Sequence, residues 1–180
     1  MHHIVVTKSG STFTGYKDGV NIGTSTGALV IGSYNFFMGK DVVNTGREFN
    51  GTLDEVAIFP SALTATNITN LYEVAGVSAP PTDGSAYSTL MHSLGPVSYW
   101  RLGESSGTTA INVMGINHGT YINGPTLGAT GLLASDSDTA VTLVADNERM
   151  ALPAPITVSG DYSLCFVFNH PAPTTAFQIM

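Results

Sequence analysis

The chain has 180 residues, 43% of them apolar and only 11% charged, with a formal net charge of −7 and six Lys plus Arg. That apolar share supports a core and excludes a disordered chain, which is poor in apolar residues and rich in charge. The absence of a basic cluster excludes a nucleic-acid backbone as partner and disfavours acidic lipid surfaces. The single cysteine, Cys165, excludes an intrachain disulfide, and no apolar run is long enough to span a bilayer, so no membrane insertion is expected. The opening Met1-His2-His3-Ile4-Val5-Val6 has neither the basic region nor the apolar stretch of a signal peptide. For an exported protein the signal is therefore expected elsewhere, or the export by another route, such as release inside an assembled particle.

In chain order, Ile4 to Thr7 reads as a strand ended by the turn cluster Lys8-Ser9-Gly10-Ser11. Phe13 to Tyr16 alternates, and Asp18-Gly19 marks a hairpin, because both residues tolerate positive φ. Val20 to Ile22 and Ala28 to Ile31 are further short strands. A polar loop region follows and carries Tyr34-Asn35-Phe36-Phe37. Gly51 to Phe59 then alternates, which predicts Leu53, Glu55, Ala57 and Phe59 on one face and Asp54, Val56 and Ile58 on the other. Pro60 stops it. The one convincing helix lies near residues 65–75, with Thr64 as N-cap, a stripe of Ile68, Leu71, Tyr72 and Ala75, and Gly76 as the stop.

Residues 77–86, Val-Ser-Ala-Pro-Pro-Thr-Asp-Gly-Ser-Ala, have the composition of a linker and divide the chain into 1–76 and 87–180. A short helix-compatible stretch, Tyr87 to Ser93, precedes strands at Val97 to Leu102, His118 to Ile122, Ala140 to Val144 and Arg149 to Leu152. Tyr162 to Phe168 is the clearest strand, with Tyr162, Leu164, Phe166 and Phe168 on one face. Many short strands at roughly 8–12-residue spacing predict an antiparallel, all-β sandwich or barrel.

Two sets of motifs carry a family resemblance. Tyr99-Trp100-Arg101-Leu102-Gly103-Glu104-Ser105-Ser106-Gly107, then Gly115-Ile116-Asn117-His118-Gly119-Thr120-Tyr121, Asp138-Thr139-Ala140-Val141 and Asp161-Tyr162-Ser163-Leu164, resemble the opening half of a laminin-G-like, concanavalin A-like lectin/glucanase domain. His2-His3-Ile4-Val5-Val6, Tyr16-Lys17-Asp18-Gly19 and Phe49-Asn50-Gly51-Thr52-Leu53-Asp54-Glu55-Val56-Ala57-Ile58-Phe59 resemble its closing half, and the helix ending in Leu71-Tyr72 resembles its final helix. The family has Trp where Met1 stands. The resemblance implies a jelly-roll β-sandwich. It also implies an unusual register: 1–76 read as the C-terminal half of one module and 87–180 as the N-terminal half of another, without the middle strands. An isolated half-sandwich would expose an apolar face and unpaired edges. The two halves are therefore expected to pack on each other, on a neighbouring chain, or both.

Concanavalin A-like glucanases carry their catalytic carboxylates on one face of one strand, and a retaining pair needs about 5–5.5 Å between them. Adjacent residues on a strand point apart, so Asp54 and Glu55 are not expected to form such a pair. The chain is therefore expected not to be an enzyme. Calcium is the one cofactor left open, with Asp54, Glu104, Asn112 and Asn117 as candidate ligands. The family usually has Asp at the position of Asn112, which lowers the expected affinity, and Asx turns account for the same residues without metal. The histidines lack zinc spacing. Cys165 reads as a buried, inert thiol, and no GxSxG elbow exists. Trp100 is expected in the core, while Tyr34, Phe36 and Phe37 are the candidate ligand-contact aromatics.

These readings lead to two expectations. One is a lectin-like binding or adhesion module on an extracellular or bacteriophage virion surface, contacting cell-surface glycan or protein. The other is a purely structural virion decoration or assembly protein, completed by sister subunits or neighbouring modules in an oligomer.

Overall fold

The computed structural model describes residues 1–27, 36–40, 46, 48–76, 86–134, 136–156, 158 and 160–170. The expected strand Ala28 to Ile31, residue Tyr34, and the linker apart from Ala86 lie outside the described residues. Within them the elements run β1 (His2–Ser9), β2 (Thr12–Lys17), β3 (Val20–Thr26), β4 (Phe37–Met38), β5 (Gly51–Phe59), α1 (Ala65–Gly76), α2 (Ala86–Ser93), β6 (Ser98–Trp100), β7 (Thr109–Ala110), β8 (Gly119–Ile122), β9 (Thr126–Thr130), β10 (Thr139–Leu143), β11 (Arg149–Ala151) and β12 (Tyr162–Asn169). All the strand pairs are antiparallel.

One sheet runs β3-β2-β1-β12-β5-β10-β9, with β6 also paired to β5; the other runs β4-β11-β8-β7. Strands from residues 1–76 and from 87–170 interleave in both sheets, since β12 lies between β1 and β5, and β11 pairs with β4. The apolar faces of the two segments are buried against each other.

The molecule has three layers. Ile4, Leu53, Val56, Ile58, Leu143, Phe166 and Phe168 of the large sheet meet Met38, Tyr121 and Met150 of the small sheet around the fully buried Trp100. On its other face, Val5, Ala57, Phe59, Cys165 and Val167 pack under Ile68, Leu71 and Ala75 of α1 and Tyr87 and Met91 of α2. The near-continuous burial of β5 follows from this, because a strand covered on both faces needs apolar residues on both. Tyr162 to Phe168 alternates as the sequence predicts, with Leu164, Phe166 and Phe168 facing the small sheet.

Local signals act as expected at several points. Thr64 caps α1 through its Oγ1, which accepts the Asn67 amide at 3.2 Å. Asp18 and Gly19 both take positive φ, 53° and 77°, at the β2–β3 turn. The Asp18 carboxylate also accepts the His3 amide at 2.9 Å, tying that turn to the start of β1. Three features differ from the sequence expectations. Tyr87–Ser93 forms part of a second helix, α2, beside the single helix expected, because Tyr87 and Met91 close the layer over the large sheet. Phe37 lies in the short strand β4 rather than a loop. Thr126–Thr130 forms β9, which pairs with β10 across a register shift.

The face assignment of β5 is also corrected. Between β5 and β12 the register steps from Cys165↔Ala57 to Val167↔Asp54, so β5 carries one extra residue. That residue is Glu55, at φ 53°. A bulge of this kind reverses the alternation of all that follows. Leu53, Val56 and Ile58 consequently share the face toward the small sheet, and Ala57 and Phe59 the face toward the helices.

Candidate functional site

The bulge lies where the edge of β5 changes partner. Residues Gly51 to Leu53 pair with β10, and Val56 to Ile58 pair with β6. The chain leaving β6 brings Arg101 into the junction, where the Glu55 amide donates to the Arg101 carbonyl. Because the bulge interrupts alternation, Asp54 and Glu55 turn to the same side of β5, contrary to the opposed arrangement that the sequence predicts. Glu55 accepts hydrogen bonds from the Tyr99 hydroxyl and from Arg101 Nε at 3.2 Å. Asp54 Oδ2 accepts the Leu132 amide at 2.8 Å, and its Oδ1 has no hydrogen-bond partner among the described residues. Arg101 Nη2 donates to Asp136, and its Nε lies 3.1 Å from Asp138. One guanidinium thus holds three carboxylates, with Asp54 beside them.

The side chains of Asp54 and Glu55 are 2% and 1% exposed as residues, which bars a bulky substrate from both carboxyl groups. Burial pushes the Asp54 carboxyl up to about 7, with further like-charge contributions from Asp138 and Asp136. Burial, and then the charge of Asp54, push Glu55 up to about 8 despite Arg101. The pair therefore carries less than two full charges near neutrality.

A pH dependence follows. Both carboxyls titrate higher in the fold than in the unfolded chain, so they favour the fold at low pH and that stabilisation is lost as pH rises through about 7 and 8. Burial depresses His3 to about 4, which acts oppositely: its contribution is complete above pH 6.5 and is lost as pH falls toward 4. Between pH 6.5 and 8.5 the carboxyls dominate. Urea unfolding is expected to show a loss on the order of 2 kcal/mol across that window. Asp54→Asn with Glu55→Gln should flatten it; an unchanged slope in that variant would refute the assignment.

Residues 1–69 match the family model of the concanavalin A-like lectin/glucanases superfamily. The matched segment runs from β1 into α1 and contains the bulged strand with Asp54 and Glu55. Among curated proteins and among solved structures, no match to the chain was found. The antiparallel two-sheet core agrees with the sandwich of that superfamily.

Beside the Arg101 network the sandwich rim holds a groove of about 450 Å³, lined by Arg101, Glu104, Ser105, Ile111, Val113 and Asp138 among others. Glu104 shapes its wall: it accepts the Ile111 amide and the Tyr121 hydroxyl, both at 2.7 Å. A side chain at Gly103 would displace the Asp138 carboxylate, with which its Cβ would collide.

The small sheet presents the superfamily-like sandwich's other accessible surface. Met38, Tyr121 and Met150 point into the core, so the alternate residues point out. The outward row is Phe37–Ala151–Thr120–Thr109, in register across all four strands. Arg149 and Ile122, paired on the next row, extend it. Of the candidate contact aromatics, Phe37 stands on this face. Phe36 turns inward and stacks on Trp100, with ring centroids 6.2 Å apart, so its ring serves the core. Tyr34 lies outside the described residues.

The four candidate calcium ligands each have a local role in the fold. Asp54 serves the bulge and Glu104 the groove wall. Asn112 Oδ1 accepts the amides of Tyr99 and Met114, both at 3.0 Å, while Asn117 takes a left-handed turn conformation. Among the described residues no group of three His, Cys, Asp or Glu side chains is placed to hold a metal ion.

Arg101, Tyr99, Asp136 and Asp138 were not singled out as a network by sequence reasoning. The only signal was the placement of Arg101 directly after Tyr99-Trp100. Cys165 is buried as expected. Its Sγ lies 3.2 Å from His3 Nε2 and 3.4 Å from the Tyr87 hydroxyl, and burial pushes the thiol up to about 12. A thiol so protonated and enclosed is a poor nucleophile.

Proposed function

We propose that the protein is a non-enzymatic, lectin-like binding module that contacts glycan through the outer face of its small sheet. The observation that carries this reading is the row Phe37–Ala151–Thr120–Thr109. Phe37 is half-buried beside the small Ala151, and the exposed part of its ring would meet the C–H face of a pyranose while the threonine hydroxyls of the same row meet its hydroxyl groups. Arg149 adds a donor on the same face; its Nη1 already reaches the Asn147 carbonyl at 3.0 Å. The superfamily match supports this reading, and burial of the Asp54–Glu55 pair argues against hydrolysis. Such a module would work where glycans are displayed, outside a cell or on a virion.

A glycan array probed with the whole chain tests the proposal, followed by calorimetry on the best hit. Phe37→Ala is expected to weaken that hit at least about tenfold, the loss of one stacking contact of about 1.4 kcal/mol. Its thermal midpoint should change little, because Phe37 lies outside both core clusters. No hit on the array, or a hit indifferent to Phe37→Ala, would refute it.

A further inference from the structure

The loop from Ile111 to His118, between β7 and β8, exposes an apolar surface that the glycan reading does not use. Of the eight exposed large hydrophobic residues among those described, four lie here: Ile111 (50% exposed), Val113 (38%), Met114 (38%) and Ile116 (61%). Exposed apolar groups scattered singly are ordinary, but four within six residues form a patch.

The loop is held firmly in that display. Asn112 near its start is fully buried, and its Oδ1 accepts the amides of Met114 in the loop and of Tyr99 in β6. Its own amide donates to His118 Nδ1 at 3.1 Å, and the Val113 amide donates to the Tyr99 carbonyl at 2.9 Å. With the backbone pinned to β6, the flanking side chains have no inward route. A preformed surface of this kind loses little conformational freedom on binding.

Ile111 and Val113 also form one wall of the rim groove, and the carboxylates of Glu104 and Asp138 lie on the same lining. The one cation there, Arg101, is already engaged by Glu55, Asp136 and Asp138. The groove therefore pairs branched aliphatic groups with surplus negative charge.

We propose that this rim groove and loop form a protein-docking site for a partner segment that alternates apolar and basic side chains. The apolar groups would cover Ile111 and Val113, and the basic group would meet Asp138 and Glu104. Branched aliphatic side chains lack the flat face that sugar rings stack on, which separates this surface from the Phe37 platform. The same carboxylates would be repelled by an anionic membrane and by the like groove of a second copy.

Fluorescence anisotropy on the whole chain tests this with two labelled eight-residue probes, one alternating Leu and Lys and one alternating Leu and Glu. The Leu–Lys probe is expected to bind at least about tenfold more tightly than the Leu–Glu probe, and to weaken as NaCl rises from about 0.05 to about 0.5 M. Ile111→Ser with Val113→Ser, both exposed and so tolerated by the fold, should weaken it at least about tenfold, whereas Phe37→Ala should leave it unchanged. No binding of the Leu–Lys probe, equal binding of both probes, or wild-type binding by the double variant would overturn the site. Loss of probe binding in Phe37→Ala would reassign it to the small sheet.

Discussion

Arg101→Met is expected to lower the free energy of unfolding by about 3–5 kcal/mol, the cost of leaving buried carboxylates without their cation. Glu55, Asp136 and Asp138 all lose their guanidinium partner, and Glu55 is almost fully buried. Methionine matches much of the aliphatic stem, so the loss reports charge rather than volume. Chemical denaturation at pH 9, where Glu55 is ionised, measures it. The combination of Arg101→Met with Glu55→Gln should recover part of the loss, since the deepest unpaired charge is then gone. Arg101→Lys should recover less than a conservative label suggests, because a single ammonium cannot span three acceptors as the planar fork does. Equal stability of Arg101→Met and the native chain would show that the network contributes nothing net.

Trp100→Ala is expected to cost a further 3–5 kcal/mol class of loss, about that of other large-to-small aromatic truncations in cores. The indole is fully buried, lies on the β6 segment paired with Val56, and stacks on Phe36. Its removal would leave a cavity where the two sheets meet and would loosen the bridge from Trp100 to Asn112, the anchor of the exposed apolar loop. Trp100→Phe should cost distinctly less. It keeps an aromatic ring against Phe36 and removes an indole N–H that has no partner among the described residues. Thermal melts of the two variants, with probe binding at the rim groove, separate loss of packing from loss of loop order.

These two residues are neighbours in sequence, yet their roles were not equally legible. A lone tryptophan in an apolar, alternating run is a core residue by size and hydrophobicity alone, and Trp100 is one. An arginine beside it reads as solvated until its partners are known. Those partners, Glu55, Asp136 and Asp138, come from distant segments, and no local spacing encodes their convergence on the bulge. The candidate calcium residues illustrate the converse. Asn112 and Glu104 have the right chemistry for a metal, but only the fold shows that their oxygens accept the amides of Tyr99, Met114 and Ile111 and the Tyr121 hydroxyl. Phe36 and Phe37 divide in the same way. Adjacent and chemically identical, they differ only in which side of β4 each faces, and that depends on the pairing of β4 with β11.

The conclusions available from the sequence by itself were the antiparallel strands, the capped helix after Thr64, the Asp18-Gly19 hairpin and the buried faces of β12. Each rests on local periodicity or turn chemistry, which a few neighbouring residues determine. Only the tertiary structure decided the parity of β5. Alternation along Leu53 to Phe59 places Asp54 and Glu55 on opposite faces, and it would have held on a strand with one continuous partner. Here β10 ends and β6 begins along the same edge, and the mismatch is absorbed by one extra residue, Glu55, at positive φ. That single insertion turns two carboxylates to one side and gathers the charges on Arg101. Its cause is the meeting of two strands far apart in the chain, which no local pattern records.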